Sequence, residues 1–246
     1  MKRKTLIAKC NYPWGDFSPT HAINHYLGCA FNCPYCWARD VWWKRMGRNL
    51  TKIWGVPEDF EWRMALPFEV SRLDFLRELN RLPTDSRILL CSTTDPYQYI
   101  DEKVSMTRRL LLWLGAKEIQ TIILTKSALR PERDFDVLKG MDAWFGITME
   151  YPFSHSNWHY ARMAMLHEAH RQGIKTFVSL EPWLPGVNAK DIVQDMASFT
   201  NHWIVGPLNY KGVDTNFYRE NLPGLIELFE RMGTSYFIKP DLMRYL

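Results

Sequence analysis

From about residue 85 onward, short and almost wholly apolar runs alternate with stretches of helical spacing, and few folds accommodate that order. Arg87–Ser92 reads as a buried strand closed by a polar turn, followed by strands at Gln120–Thr125, Trp144–Met149, Lys175–Leu180, Trp203–Gly206 and a last run at Tyr236–Lys239. Between them lie predicted helices. Ser105 caps the first, which runs to Leu114 with Leu110, Leu111 and Leu114 on one face. A short one from Pro131 to Lys139 opens on proline. Asn157–Arg171 repeats Ala161, Met165 and Ala169 at helical spacing and stops at Gly173, and Ala189–Phe199 and Leu222–Met232 complete the set. Apolar strands separated by helices of this length form parallel βαβ units, and a strand around His25 to Leu27 brings the count to six or seven. An open doubly wound sheet and a full or partial barrel both satisfy the pattern. Both place their chemistry at the C-terminal strand ends. That is where Ser92-Thr93-Thr94-Asp95, Thr125-Lys126, Thr148, Glu150, Ser179 and Glu181 fall.

At 246 residues and 46% hydrophobic, the chain suits one α/β unit with a substantial core. No repeat, low-complexity tract or linker divides it, so residues 1–246 are expected to form a single domain, with a core over about 20–210 and a helix-and-strand extension at 211–246. No apolar run approaches the roughly 18 residues that span a bilayer, and the basic start Met1-Lys2-Arg3-Lys4 lacks the features of a signal peptide. A cytoplasmic location without membrane contact is the expectation, and in a reducing compartment clustered cysteines serve metal or redox chemistry. The net charge of +4 excludes little. Arg130–Asp136 mixes both signs as a solvated surface does, but Trp42–Trp54 carries four basic residues, three tryptophans and no acid. Cations interleaved with aromatics fit a nucleic-acid backbone and its bases, and also fit a loop whose indoles cover a core.

The strongest local signal is Gly28-Cys29-Ala30-Phe31-Asn32-Cys33-Pro34-Tyr35-Cys36-Trp37. A cluster used only for electron transfer takes four protein ligands. Three thiolates from one loop leave one iron open, as a catalytic zinc keeps an open position. Cys33 and Cys36 alone match a dithiol oxidoreductase motif, but Cys29 is then surplus. Three cysteines with His25 or His21 would make a zinc site in a nucleic-acid-binding protein. Three thiols in one short loop rarely serve packing alone. A metal cluster is the reading that uses all three.

Cys-x3-Cys-x2-Cys with Tyr35 before the last cysteine resembles the signature of the radical S-adenosylmethionine (SAM) superfamily. The surrounding Ala22–Arg39, with Ser92-Thr93-Thr94-Asp95-Pro96-Tyr97-Gln98, Met106-Thr107-Arg108-Arg109 and Leu124-Thr125-Lys126-Ser127, is similar to the branch containing spore photoproduct lyase. The resemblance runs from about residue 20 to 210 and implies a partial (β/α)6 barrel of TIM type with parallel strands. It implies a [4Fe–4S] cluster on Cys29, Cys33 and Cys36, binding SAM through its open iron. Reductive cleavage of SAM then gives a 5′-deoxyadenosyl radical that abstracts hydrogen from a substrate. A donor such as flavodoxin or ferredoxin would supply the electron, and the branch points to nucleic acid as substrate.

By the same resemblance, Ser92, Thr93 and Thr94 meet the methionyl end of SAM, and Lys126 pairs with its carboxylate. Thr148 and Glu150 take the ribose hydroxyls, with Arg162 bracing that carboxylate or the cofactor. Ser179, Glu181 and the Val205–Leu208 turn are candidates for the adenine end, near which Tyr35 would stack. Cys91 falls where the lyase carries the cysteine that returns hydrogen to the product radical. Cys10 has no assigned partner and reads as a small apolar residue. The lyase places a tyrosine of its hydrogen relay after the last cluster cysteine, where this chain has Trp37. An indole relays hydrogen less well than a phenol, so the same repair cycle is not implied.

Overall fold

The computed structural model describes residues 5–45, 54–69, 71–150, 157–209, 212 and 215–246. Their contacts gather into two compact units, neither of them continuous in sequence. The first comprises Met1–Asn11, Pro19–Thr125 and Asp136–Asp142, and the second Tyr12–Ser18, Lys126–Phe135 and Ala143–Leu246.

In the first unit, β1 (Ile7–Lys9) pairs antiparallel with β2 (His21–Ile23). Two further residues, β3 (Tyr26–Leu27), pair antiparallel with β4 (Leu66–Pro67). Helix α1 (Arg72–Leu79) is capped by Ser71, whose hydroxyl accepts from the Asp74 amide at 3.4 Å. It leads to β5 (Arg87–Leu90), which runs parallel to β2 with Ile23 opposite Leu90. Helices α2 (Tyr99–Val104) and α3 (Met106–Gly115) follow, and then β6 (Gln120–Thr125), parallel to β5. Leu110, Leu111 and Leu114 of α3 are buried, as their spacing requires. Ser105 does stand at the head of α3, in left-handed conformation, but its side chain makes no capping bond. The buried Asp101 carboxylate takes that part, accepting from the Thr107 amide at 2.9 Å.

The second unit is built on four parallel strands in the order β7 (Ala143–Thr148), β8 (Lys175–Leu180), β9 (His202–Val205), β10 (Tyr236–Ile238). The short helix α4 (Phe135–Leu138), entered through a tight turn at Pro131–Asp134, precedes them. Helices α5 (Asn157–Arg171), α6 (Ala189–Met196) and α7 (Thr215–Met232) connect them, and α8 (Pro240–Met243) follows β10. Gly146 in β7 has a packing reason, because a Cβ there would lie 2.3 Å from the Phe177 ring. Phe177 is fully buried and meets Trp14 and Phe17 with ring centroids 6.0 and 4.9 Å away.

Two elements differ from the sequence expectation. The strand parallel to β5 is His21–Ile23, and Tyr26–Leu27 belongs to a separate two-stranded ribbon. The ladder breaks at Asn24 because its side chain turns to bond the residues after β5. Helix α7 begins at Thr215 rather than Leu222, so Pro223 lies inside it. The proline looks like a first-turn residue in sequence because that is where helices tolerate it best.

Candidate functional site

The cysteine loop is held by backbone contacts that only its particular residues permit. Gly28 has φ +80°, and a Cβ there would fall 2.4 Å from the Trp62 carbonyl oxygen. That space lets the Cys29 amide donate to the same carbonyl at 2.7 Å. Gln98, fully buried, spans the loop by accepting from the Ala30 amide at 2.7 Å and donating to the Gly28 carbonyl at 3.2 Å. The Cys36 amide donates to the Cys33 carbonyl at 3.1 Å, and the Arg39 amide lies 3.4 Å from the Cys36 sulfur. The Arg39 guanidinium bonds Asp40 and the Asn32 side chain, the latter at 2.8 Å. Cys29 is buried, Cys33 and Cys36 are half-buried, and all three are thiols rather than disulfides. Burial pushes the Cys29 thiol well above its ordinary range, and Asp95, Cys33 and Cys36 push the same way. A bound cation reverses that balance and takes the sulfurs as thiolates. Among the described residues no three His, Cys, Asp or Glu side chains converge as ligands of a single ion would. A cuboidal cluster takes each thiolate on a different iron, so its ligands stand apart. Tyr35 is half-buried in the same loop, and Trp37 is 36% exposed.

Residues after β5 are organised by Asn24, which the sequence reading did not single out. Its Oδ1 accepts from the Thr93 amide and hydroxyl, each at 2.9 Å, and its Nδ2 donates to the Ser92 hydroxyl at 3.1 Å. Asp95, also buried, accepts from the Thr125 hydroxyl at 2.7 Å and the Tyr97 amide at 2.8 Å. Cys91 adopts φ +58°. The Thr107 hydroxyl lies 2.6 Å from the Pro96 carbonyl and 3.0 Å from His25 Nε2. Cys91 Sγ lies close to both ring nitrogens, 3.5 Å from Nδ1 and 3.8 Å from Nε2, and the Ile23 backbone is a further partner of the ring. Burial lowers the His25 pKa to about 4 against the opposing Asp101 carboxylate, so the ring is neutral. Burial raises the Cys91 thiol well above its ordinary range, with the Thr94 hydroxyl partly offsetting it.

In the second unit, Glu150 is 4% exposed and lies between two cations, Lys126 Nζ at 3.1 Å and Arg162 Nη1 at 3.0 Å. Arg162, entering from α5, also donates to the carbonyls of Lys126 and Thr148, each at 2.8 Å. It thus clips together the ends of two chain segments whose side chains the sequence singled out. Thr148 and Ser179 stand opposite each other in register, both buried. The Ser179 hydroxyl is buried with no hydrogen-bond partner among the described residues. Glu181 forms an ion pair with Lys239, a residue at the end of β10 that the sequence reading passed over. Of the Trp42–Trp54 stretch, residues 46–53 lie outside the described residues. No helix among the described residues is long and apolar enough to cross a membrane.

These features fit the groups that the sequence implies. Three thiols in one loop supply the donor chemistry of an iron–sulfur cluster. The half-buried Lys126 already faces a carboxylate, and the unpartnered Ser179 hydroxyl awaits a polar neighbour.

No family model matches the sequence. The uncharacterized protein MJ0683 of Methanocaldococcus jannaschii is 26% identical over 223 residues, which cover 85% of this chain and 78% of that protein. Spore photoproduct lyase, solved as a mutant with bound AdoMet and dinucleoside spore photoproduct, superposes with a TM-score of 0.68 at 13% identity. That match covers 96% of this chain and 80% of the lyase. SuiB of Streptococcus suis, solved with S-adenosylmethionine, gives a TM-score of 0.47 at 12% identity over 62% of this chain. This chain spans only 39% of the SuiB chain.

Proposed function

We propose that this chain, which has the partial (β/α) barrel fold of spore photoproduct lyase, is a radical SAM enzyme whose [4Fe–4S] cluster is held by Cys29, Cys33 and Cys36. The observation that carries the reading is a loop of three thiols, none in a disulfide, at the x3, x2 spacing, on a chain whose fold matches the lyase over 96% of its length. When bound, the cluster and SAM supply reductive cleavage to a 5′-deoxyadenosyl radical that abstracts hydrogen from substrate.

The chain's own residues bind and orient. Gly28, Gln98 and the Trp62 carbonyl fix the loop so that all three thiols stay available. Ser92, Thr93 and Thr94 meet the methionyl end, with Asn24 fixing the first two. Lys126 takes the SAM carboxylate, in support of which its ammonium already lies 3.1 Å from a Glu150 oxygen. Thr148 and Glu150 hold the ribose hydroxyls, Arg162 fixes Glu150, Ser179 serves the adenine end, and Tyr35 stacks near it. Cys91 returns hydrogen to a product radical, a role supported by its being held as a neutral thiol, since a thiolate has no hydrogen atom to give. The electron comes from a donor such as flavodoxin or ferredoxin, the substrate is a nucleic acid or another large molecule, and the reaction is cytoplasmic.

Anaerobic reconstitution tests this directly. A brown protein that releases 5′-deoxyadenosine from SAM under dithionite, and loses the activity in Cys29→Ala, is the expected result. Protein that binds no iron, or holds a cluster without cleaving SAM, would sink the proposal. Thiol oxidoreductase activity that survives Cys29→Ala would replace it with dithiol chemistry at Cys33 and Cys36, and colourless protein with stoichiometric zinc would replace it with a zinc site.

A further inference from the structure

The Glu181–Lys239 pair stands apart from the Lys126–Glu150–Arg162 group. Ile238 pairs with Val205 and Val205 with Leu180, so the residues that follow, Lys239, Gly206 and Glu181, leave three neighbouring strands at one level. Glu181 leaves the strand next to β7, roughly 5 Å away, and Lys239 leaves β10, three spacings or roughly 14 Å from β7, so the pair extends away from the Lys126–Glu150–Arg162 group. Gly206 is what allows the pair to form. A Cβ there would sit 3.0 Å from Lys239 Cδ and 3.1 Å from Glu181 Cδ, so the two side chains meet across the space a side chain would fill.

The pair is partly withdrawn from water, with side-chain exposures of 10% for Lys239 and 20% for Glu181. Pairing uses one of the ammonium's three donors and a fraction of the carboxylate's acceptor sites, leaving a cationic donor beside an anionic acceptor. Stability alone does not account for this pair, because half-buried ion pairs contribute little net stabilisation. Its complement is a flat edge with a carbonyl next to an N–H, the carbonyl accepting from Lys239 and the N–H donating to Glu181.

We propose that Glu181 and Lys239, meeting over Gly206, form a substrate-recognition site for the carbonyl and N–H edge of a nucleobase imide. This rests on reading the chain as a radical SAM enzyme with a nucleic-acid substrate. The adenine of SAM also carries a donor beside an acceptor, so the test separates the two sources.

Binding of the dinucleoside spore photoproduct and, separately, of S-adenosylhomocysteine is measured by calorimetry on the cluster-loaded protein, with wild type, Lys239→Met and Glu181→Gln. Each substitution is expected to weaken the dinucleoside about tenfold or more, and in Lys239→Met the S-adenosylhomocysteine affinity stays within about twofold. Methylating the imide nitrogens of the probe is expected to cost wild type a similar factor. Unchanged dinucleoside affinity in both variants overturns the proposal, as does a wild-type protein that binds S-adenosylhomocysteine but not the dinucleoside. A parallel loss of S-adenosylhomocysteine binding in Lys239→Met assigns the pair to the cofactor and also overturns it. Wild type that binds neither cluster nor S-adenosylhomocysteine fails the underlying reading instead. Should Lys239→Met not fold, Lys239→Arg keeps the ion pair but changes the donor geometry, and is expected to weaken the dinucleoside alone.

Discussion

At the scale of single residues, His25 and Arg162 carry consequences that their neighbours determine. His25 has a pKa of about 4 in the folded chain against an ordinary 6.5, chiefly because burial disfavours the imidazolium. The unfolded chain therefore takes up a proton that the folded chain refuses. Stability from this group is complete above about pH 6.5 and falls as pH drops toward 4, by roughly 3 kcal/mol in all. Unfolding free energies measured across that window should show a slope about one proton smaller in His25→Gln than in wild type; equal slopes would mean that His25 titrates normally. Arg162 presents a different case, being a clip on two carbonyls as well as an ion-pair partner. Replacing it with methionine removes one cation from Glu150 and ties the Lys126 ammonium more firmly to that carboxylate. S-adenosylhomocysteine affinity in Arg162→Met is expected to fall about tenfold, and an unchanged affinity would detach Lys126 from the cofactor's carboxylate.

Among the elements, β7 and β8 show how a core fixes a sequence. Gly146 faces the Phe177 ring so closely that alanine there forces the ring from a position already fixed by Phe17 and Trp14. Gly146→Ala should cost about 2 kcal/mol, lowering the melting temperature by roughly 4–8 °C, and trimming Phe177 to leucine in the same protein should restore part of the loss. A double variant no more stable than Gly146→Ala would show that the ring is not what alanine meets. The long strands and helices of this half were legible because each has enough residues to display its period, as in Lys175–Leu180 and Asn157–Arg171. The short elements were not. β2 has three residues and β3 two, and the break between them depends on Asn24 bonding Thr93, a contact 69 residues away in sequence. The candidate site divides the same way. Strand-end polar residues stand out in the sequence, whereas Asn24 and Gln98 act through side chains that meet distant backbone. Lys239 emerges only once Gly206 is seen to leave room for it.

For the molecule as a whole, the path of the chain bears on how it folds. Neither compact unit is a continuous segment, since the chain leaves the first at residue 12, returns at 19, leaves again at 126, and visits it once more over Asp136–Asp142. Residues 12–18 belong to the second unit through Trp14 and Phe17, whose rings pack on Phe177 and, from Phe17, on Trp144 at 4.6 Å. A fragment of residues 143–246 therefore keeps all four strands β7 to β10 and loses two buried aromatics that cover them. Losing contacts of that size typically costs several kcal/mol each, comparable with the whole stability of a small domain. We expect the fragment not to fold alone, and the intact chain to unfold as one domain in one transition. Calorimetry checks this, because a single domain gives equal calorimetric and van't Hoff enthalpies. Two resolved transitions, or a folded 143–246 fragment, would instead establish two separately stable units, and the chain's repeated crossing would then be a matter of connection rather than of stability.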